Sequence, residues 1–225
     1  MEFKRVVCKR ICRCTRKEDE YLKMEFWNSQ LTDKSWKVLQ ELRKKYNFIL
    51  IGGWATYLWT KQQKSKDIDI VVDIKELQKL KLEVLSKNDH LMKYEIKEGE
   101  VDVGIYVYYF SKLTIPPEKL KEYSRKIEGF DVVSKEALLV LKQGAYSNRL
   151  GSVKGEKDKI DIISLLFSEI DFKSYSSILI EYSLNDYIEE LIILVGEFKD
   201  YNSLNLNPRE FKIKKDMILK NLKKI

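Results

Sequence analysis

Histidine and cysteine are scarce in this chain, at one and three of 225 residues. Cys8, Cys12 and Cys14 form a Cys-x3-Cys-x-Cys run. That is one ligand short of the four zinc normally takes, and His90 lies far along the chain, where it reads as a surface residue. Few cysteines and no export signal suit a reducing, cytoplasmic setting. Residues 1–11 are basic but lack the apolar core of a secretory signal. No apolar run approaches 18 residues, which excludes a membrane-spanning helix. Prolines number only three. Neither an internal repeat nor a low-complexity linker divides the sequence. What remains, 44% hydrophobic and 34% charged, is enough to bury a substantial core as one domain or two small ones.

The informative segments begin at Phe48-Ile49-Leu50-Ile51, a short apolar run ended by Gly52-Gly53. This pattern predicts a buried strand entering a tight turn. Ala55, Leu58 and Trp59 then recur at helical spacing, predicting a helix over 54–62. Glycines in the turn allow φ > 0 and bring N–H groups close to a ligand. The helix that follows directs its positive end at the same spot, which favours an anion such as phosphate. Lys66-Asp67-Ile68-Asp69-Ile70-Val71-Val72-Asp73 alternates acids with aliphatics, so Asp67 and Asp69 project from one face of a strand. After an expected helix over 75–87, Glu100-Val101-Asp102-Val103-Gly104-Ile105 repeats the alternation. If the two strands are neighbours, Asp102 joins the aspartate pair. Asp73 reads as an ordinary strand-end residue and Glu100 as a solvated one.

Three close carboxylates repel one another, by roughly 4 kcal/mol per pair about 4 Å apart at an effective dielectric of 20. A proton or a cation must compensate. All-oxygen ligands select a hard ion, Mg²⁺ above all where phosphates complete its shell. Such a centre polarises an α-phosphate and stabilises departing pyrophosphate. Asp102 is expected to hold the ion nearest the nucleophile and to accept its proton. A D-x-D pair alone is ordinarily a solvated strand face; the glycine turn, the helix and the third acid strand, in that order, are what make it a candidate site.

On these residues the chain resembles the nucleotidyltransferase superfamily with the DNA polymerase beta-like fold. The resemblance spans about residues 48–107. It implies Asp67, Asp69 and Asp102 as metal-binding catalytic acids with Mg²⁺ or Mn²⁺, and an NTP substrate held by Gly52, Gly53, Trp54 and Lys66. Trp54 departs from the small hydroxyl residue usual after the glycines, which leaves the backbone to make the phosphate contact. A second stretch, Lys142-Gln143-Gly144-Ala145-Tyr146-Ser147-Asn148-Arg149 followed by Lys157-Asp158-Lys159-Ile160-Asp161-Ile162, is similar to the K-x-x-A-x-x-x-R … [RK]-D-x-x-D-L pattern of the abortive-infection type E toxin nucleotidyltransferases. That likeness implies that Lys142 touches the triphosphate and that Asp158 or Asp161 orients it, with Arg149 and Lys157 nearby. Ile162 replaces the usual leucine. It further implies an RNA acceptor, the 3′ end of tRNA, and a protein antitoxin. Helical charge pairing explains the same letters without function.

The formal charge is +7, with basic clusters at 1–17, 61–66 and 212–224. A basic surface around an acidic centre suits a polyanion such as RNA, although a lysine-rich solvated surface has the same composition. Tyrosines at 106, 108, 109, 123 and 146 could stack on bases, but most aromatics at such spacing are core. Trp36, Leu39 and Leu42 line one face of an opening helix over 27–46. Pro116-Pro117 marks a loop. Ser134 caps a helix carrying Lys142. Helices are then expected over 157–168, 172–182, 185–199 and 208–224, the last opened by Asn207-Pro208. The fold class is therefore α/β (α+β): a basic tail over 1–23, a mixed-sheet catalytic domain with flanking helices over 24–133, and a helical C-terminal domain over 134–225. A protein hydroxyl or a small molecule as acceptor, or a non-catalytic nucleotide-binding role, fits the same site.

Overall fold

The computed structural model describes residues 29–80, 86–88 and 92–225. The three cysteines, His90 and the basic tail over 1–23 lie outside the described residues. Helix α1 (29–45) comes first, burying Leu39 and Leu42. Strand β1 (Ile49–Ile51) runs directly into α2 (Gly52–Thr60), then follow β2 (Ile68–Val72) and α3 (Ile74–Leu80). The sheet continues with β3 (Ser86–Asn88), β4 (Lys93–Glu98), β5 (Val101–Val107), β6 (Ser124–Ile127) and β7 (Phe130–Val133). Helices α4 (Lys135–Ser147), α5 (Val153–Phe167), α6 (Phe172–Glu181), α7 (Asp186–Glu197) and α8 (Pro208–Leu222) complete the chain.

The seven strands form one mixed sheet in the order β3-β4-β5-β2-β1-β7-β6. The central strands β1 and β2 are antiparallel, and each has a parallel partner on its other side, β7 and β5 respectively. Helix α2 packs against β1 and β2 and is also touched by α4 and α5. One apolar cluster therefore runs from Leu39 through the sheet to Leu222, crossing the boundary expected at 133/134.

Several boundaries differ from the expectation. Helix α2 absorbs both glycines, and only Gly52 has a positive φ, at 66°. Of the helix expected over 75–87, the described residues to Leu80 are helical and Ser86–Asn88 is instead an edge strand, with Ser86 opposite Glu95. Polar Ser86 and Lys87 carry no apolar periodicity to hold them on a helix. Asp73 is more than a strand end, because its carboxylate accepts from the Glu76 N–H at 2.8 Å and caps α3. Caps behave as local chemistry dictates: Ser134 Oγ accepts from the Ala137 N–H, and Asn207 with Glu210 forms a capping box on α8. Helix α5 begins earlier than expected, at Val153, because Ser152 Oγ accepts from the Gly155 N–H.

Candidate active site

Asp69 stands opposite Ile51 on β1 and Gly104 on β5, so its carboxylate hangs between two strands at the mouth of α2. Two glycines make that room. A Cβ on Gly52 would lie 2.3 Å from Asp69 Oδ2, and one on Gly104 would lie 3.0 Å from Asp69 Oδ1. Gly52 is also in the left-handed region, where a side chain is strained. Burial pushes the Asp69 carboxyl above the ordinary carboxylate range. Lys93 opposes this most strongly, then Lys142; the charge of Asp67 adds to the rise, and Arg149 opposes it. A half-buried carboxylate thus sits among cations without full compensation.

The first N–H groups of α2 have no intrahelical acceptors, and the first turn contains no acid. Ser65 and Lys157 stand at this end. A Cβ on Gly53 would lie 2.5 Å from Ser65 Oγ and 3.6 Å from Lys157 Nζ, and Lys157 Nζ donates to Ser65 Oγ at 3.3 Å. Ser65 is buried. Helix N–H groups, a hydroxyl and an ammonium together make an anion seat.

Helices α4 and α5 bring up a third group. Lys142 Nζ donates to Asp161 Oδ2 at 2.6 Å and to Asp158 Oδ1 at 3.1 Å, with all three side chains buried. Burial works against the Lys142 charge, but Asp161 and Asp158 outweigh it and hold its pKa above the usual lysine value. Asp158 Oδ2 is buried without a hydrogen-bond partner among the described residues, 3.3 Å from Arg149 Nη2. Tyr106 on β5 completes the wall. Burial drives its hydroxyl pKa far up, and the neighbouring Asp69 charge adds to this.

The remaining sequence-derived candidates are distributed less tightly. Asp67 is exposed just before β2, and so is Lys66. Asp102 lies on β5 beside β2, two residues before Gly104 and hence on the same sheet face. Its carboxylate is exposed and pairs across strands with Lys97 at 3.7 Å. Trp54 requires a correction as a nucleotide contact. Its ring is 1% exposed, packs on Trp36 and Tyr57, and donates its indole N–H to Ser35 Oγ at 2.8 Å. The helix turns this large apolar side chain into the core and leaves only its backbone at the seat. Glu100 pairs with Lys34 of α1 at 2.5 Å.

Sequence reasoning missed Ser65 and Lys93, and considered Tyr106 only as a base-stacking or core aromatic. Ser65 continues the two-residue spacing of Asp67 and Asp69, which was the available signal. Lys93 had none, because its importance depends on the pairing of β4 with β5.

The donor chemistry suits a hard divalent cation. Among the described residues no three acid, histidine or cysteine side chains are gathered as a metal cage. Mg²⁺ ordinarily takes one or two carboxylates, with phosphates and water completing its shell. Asp67 and Asp69, the latter under-compensated, meet that need beside an anion seat.

No protein-family model matches the sequence, and none of the curated proteins does. Among solved structures the chain is similar to an antigenic nucleotidyltransferase-like protein from Paracoccidioides brasiliensis, with 19% identity, 79% of this chain and 92% of that chain covered, and a TM-score of 0.42. It is also similar to JHP933 from Helicobacter pylori, with 17% identity, coverage of 88% and 92%, and a TM-score of 0.43. A nucleotidyltransferase described as putative, from H. pylori, gives 17% identity, coverage of 88% and 97%, and a TM-score of 0.40.

Proposed function

We propose that this chain is a metal-dependent nucleotidyltransferase that moves NMP from an NTP to an acceptor hydroxyl, with RNA, and the 3′ end of tRNA in particular, as the favoured acceptor. One observation carries the reading: the Asp69 carboxylate is packed against the first residue of α2, beside an anion seat built from Ser65, Lys157 and helix N–H groups. A carboxylate is an unwelcome neighbour for phosphate unless a cation joins them.

In this reading the helix N–H groups, Ser65 and Lys157 hold the triphosphate. Arg149 and Lys142 add positive charge, and Asp158 with Asp161 fixes the Lys142 ammonium in place. Asp67 and Asp69 would hold Mg²⁺ or Mn²⁺, with Asp102 on the adjoining strand. When bound, the ion supplies polarisation of the α-phosphate and stabilisation of the leaving oxygen. The acceptor oxygen attacks the α-phosphorus, the bond to pyrophosphate breaks, and Asp102, open to solvent, takes the hydroxyl proton. RNA is favoured by the net charge of +7 and its basic clusters. A toxin role with a protein antitoxin rests on the sequence resemblance.

The test is incubation with α-labelled NTPs, Mg²⁺ or Mn²⁺, and total RNA. Label on RNA that disappears with Asp69→Ala is the expected result. Label that persists with Asp69→Ala would overturn the site. Label that follows protein after ribonuclease treatment, or a small molecule, would reassign the acceptor. Metal and NTP binding without transfer to any acceptor would refute catalysis.

A further inference from the structure

Three adjacent strands carry Asp69, Gly104 and Glu95 in one lateral row, since Gly104 is the register partner of both acids. With no side chain at 104, the space between the two carboxylates is open to whatever reaches into it. Lys93 does so. It lies two residues from Glu95 on β4 and therefore shares its face. Its Nζ is 3.1 Å from Glu95 Oε1 and 3.1 Å from the point where a Gly104 side chain would begin, the same point that Asp69 Oδ1 approaches to 3.0 Å. Its ammonium also lies 5.7 Å from the centre of the Tyr106 ring. Lys97, on the same face of the same strand, is a useful contrast. Its side chain is 80% exposed, whereas that of Lys93 is 14% exposed. A lysine ordinarily keeps its ammonium in water, so the inward course of Lys93 requires a local attraction: Glu95 pairs with it, and the Asp69 carboxylate approaches the same space beside Gly104.

We propose that Lys93, held on Glu95, is a built-in counter-cation of this site, filling the space beside Asp69 until a divalent ion takes that space. The inference rests on the metal-binding role proposed for Asp69. Burial disfavours the Asp69 charge, and Lys93 is the strongest opposing influence, as a resident counter-ion should be. Lys93 and an incoming ion compete for one carboxylate, so the free protein binds divalent ions weakly. Glu95, already paired with the ammonium at 3.1 Å, keeps it from being stranded when the ion arrives. Gly104 keeps the passage between the two acids clear.

The experiment titrates the full chain with Mn²⁺ in the absence of nucleotide and follows the free-ion signal by electron paramagnetic resonance. Circular dichroism confirms that each variant is folded. Lys93→Met should bind Mn²⁺ at least tenfold more tightly than the unaltered chain. Lys93→Arg, which keeps the charge, should bind no more tightly than the unaltered chain, and Glu95→Gln should bind more weakly than it does. Adding Asp69→Asn to Lys93→Met should abolish the gain. If Lys93→Met leaves affinity unchanged or lowers it while Asp69→Asn removes binding, the counter-cation role is wrong and the metal role of Asp69 stands. If Asp69→Asn has no effect on Mn²⁺ binding in either background, the metal role fails, and this inference with it.

Discussion

Replacing Lys142 with methionine tests the charge cluster between α4 and α5 directly. The lysine side chain is 9% exposed, and those of Asp161 and Asp158 are 3% and 5% exposed. Methionine preserves most of the packing but removes the ammonium that both carboxylates accept from. Arg149 offers only partial relief: its Nη2 is 3.3 Å from Asp158 Oδ2, its side chain is 43% exposed, and Asp161 gains nothing from it. Breaking a buried pair by removing one partner costs about 3–5 kcal/mol. For a chain of this size that corresponds to a fall in Tm of about 6–20 °C. Urea denaturation monitored by circular dichroism gives the free energy. Its pH dependence supplies the check on mechanism. At the alkaline end, Lys142 has its pKa raised by folding above the free value of 10.5. Its contribution is therefore complete below that value and fades as pH rises through the higher folded one. Adding Asp161→Asn to Lys142→Met should recover part of the loss. A deficit below about 1 kcal/mol would refute the buried-pair reasoning.

Asp69→Asn should stabilise the fold at neutral pH. The Asp69 carboxyl is raised by folding, so its charge opposes folding above the folded pKa, and the gain should vanish on acidification below the unfolded value of 3.8; thermal melts across pH check this. Gly52→Ala adds a Cβ 2.3 Å from Asp69 Oδ2 at a φ of 66°. Beyond about 1–2 kcal/mol of left-handed strain, displacement of the carboxylate should lower NMP transfer about a hundredfold, read in the labelling assay. Trp54→Phe strands the buried Ser35 hydroxyl and should cost about 1–3 kcal/mol in urea. Nucleotide affinity should remain unchanged, because the indole never reaches the seat.

Local pattern carried a good part of this molecule. The alternation at Asp69, Ile70 and at Asp102, Val103, Gly104 is a backbone property, and it puts Asp69 and Asp102 on one sheet face, while Asp67 falls just before β2. The Gly-Gly turn and the caps at Ser134 and Asn207 are equally local. Chemistry that depends on pairing was less accessible. Glu95 and Lys93 matter only because β4 lies antiparallel to β5 with Glu95 opposite Gly104, and nothing in residues 93–98 announces that register. Reading 75–87 as one helix concealed the β3–β4 hairpin and the lysine it presents. Trp54 shows the converse error. Its position beside the glycines suggested a ligand contact, whereas helical rotation sends its ring inward to Trp36.

Helix α2 has a double allegiance: one side lies on the sheet, while α4 and α5 cover it from the other direction. Cutting the chain after Val133 would remove α4 and α5 from α2. A fragment ending at Val133 would lose that packing on the helix that begins at Gly52, beside Asp69.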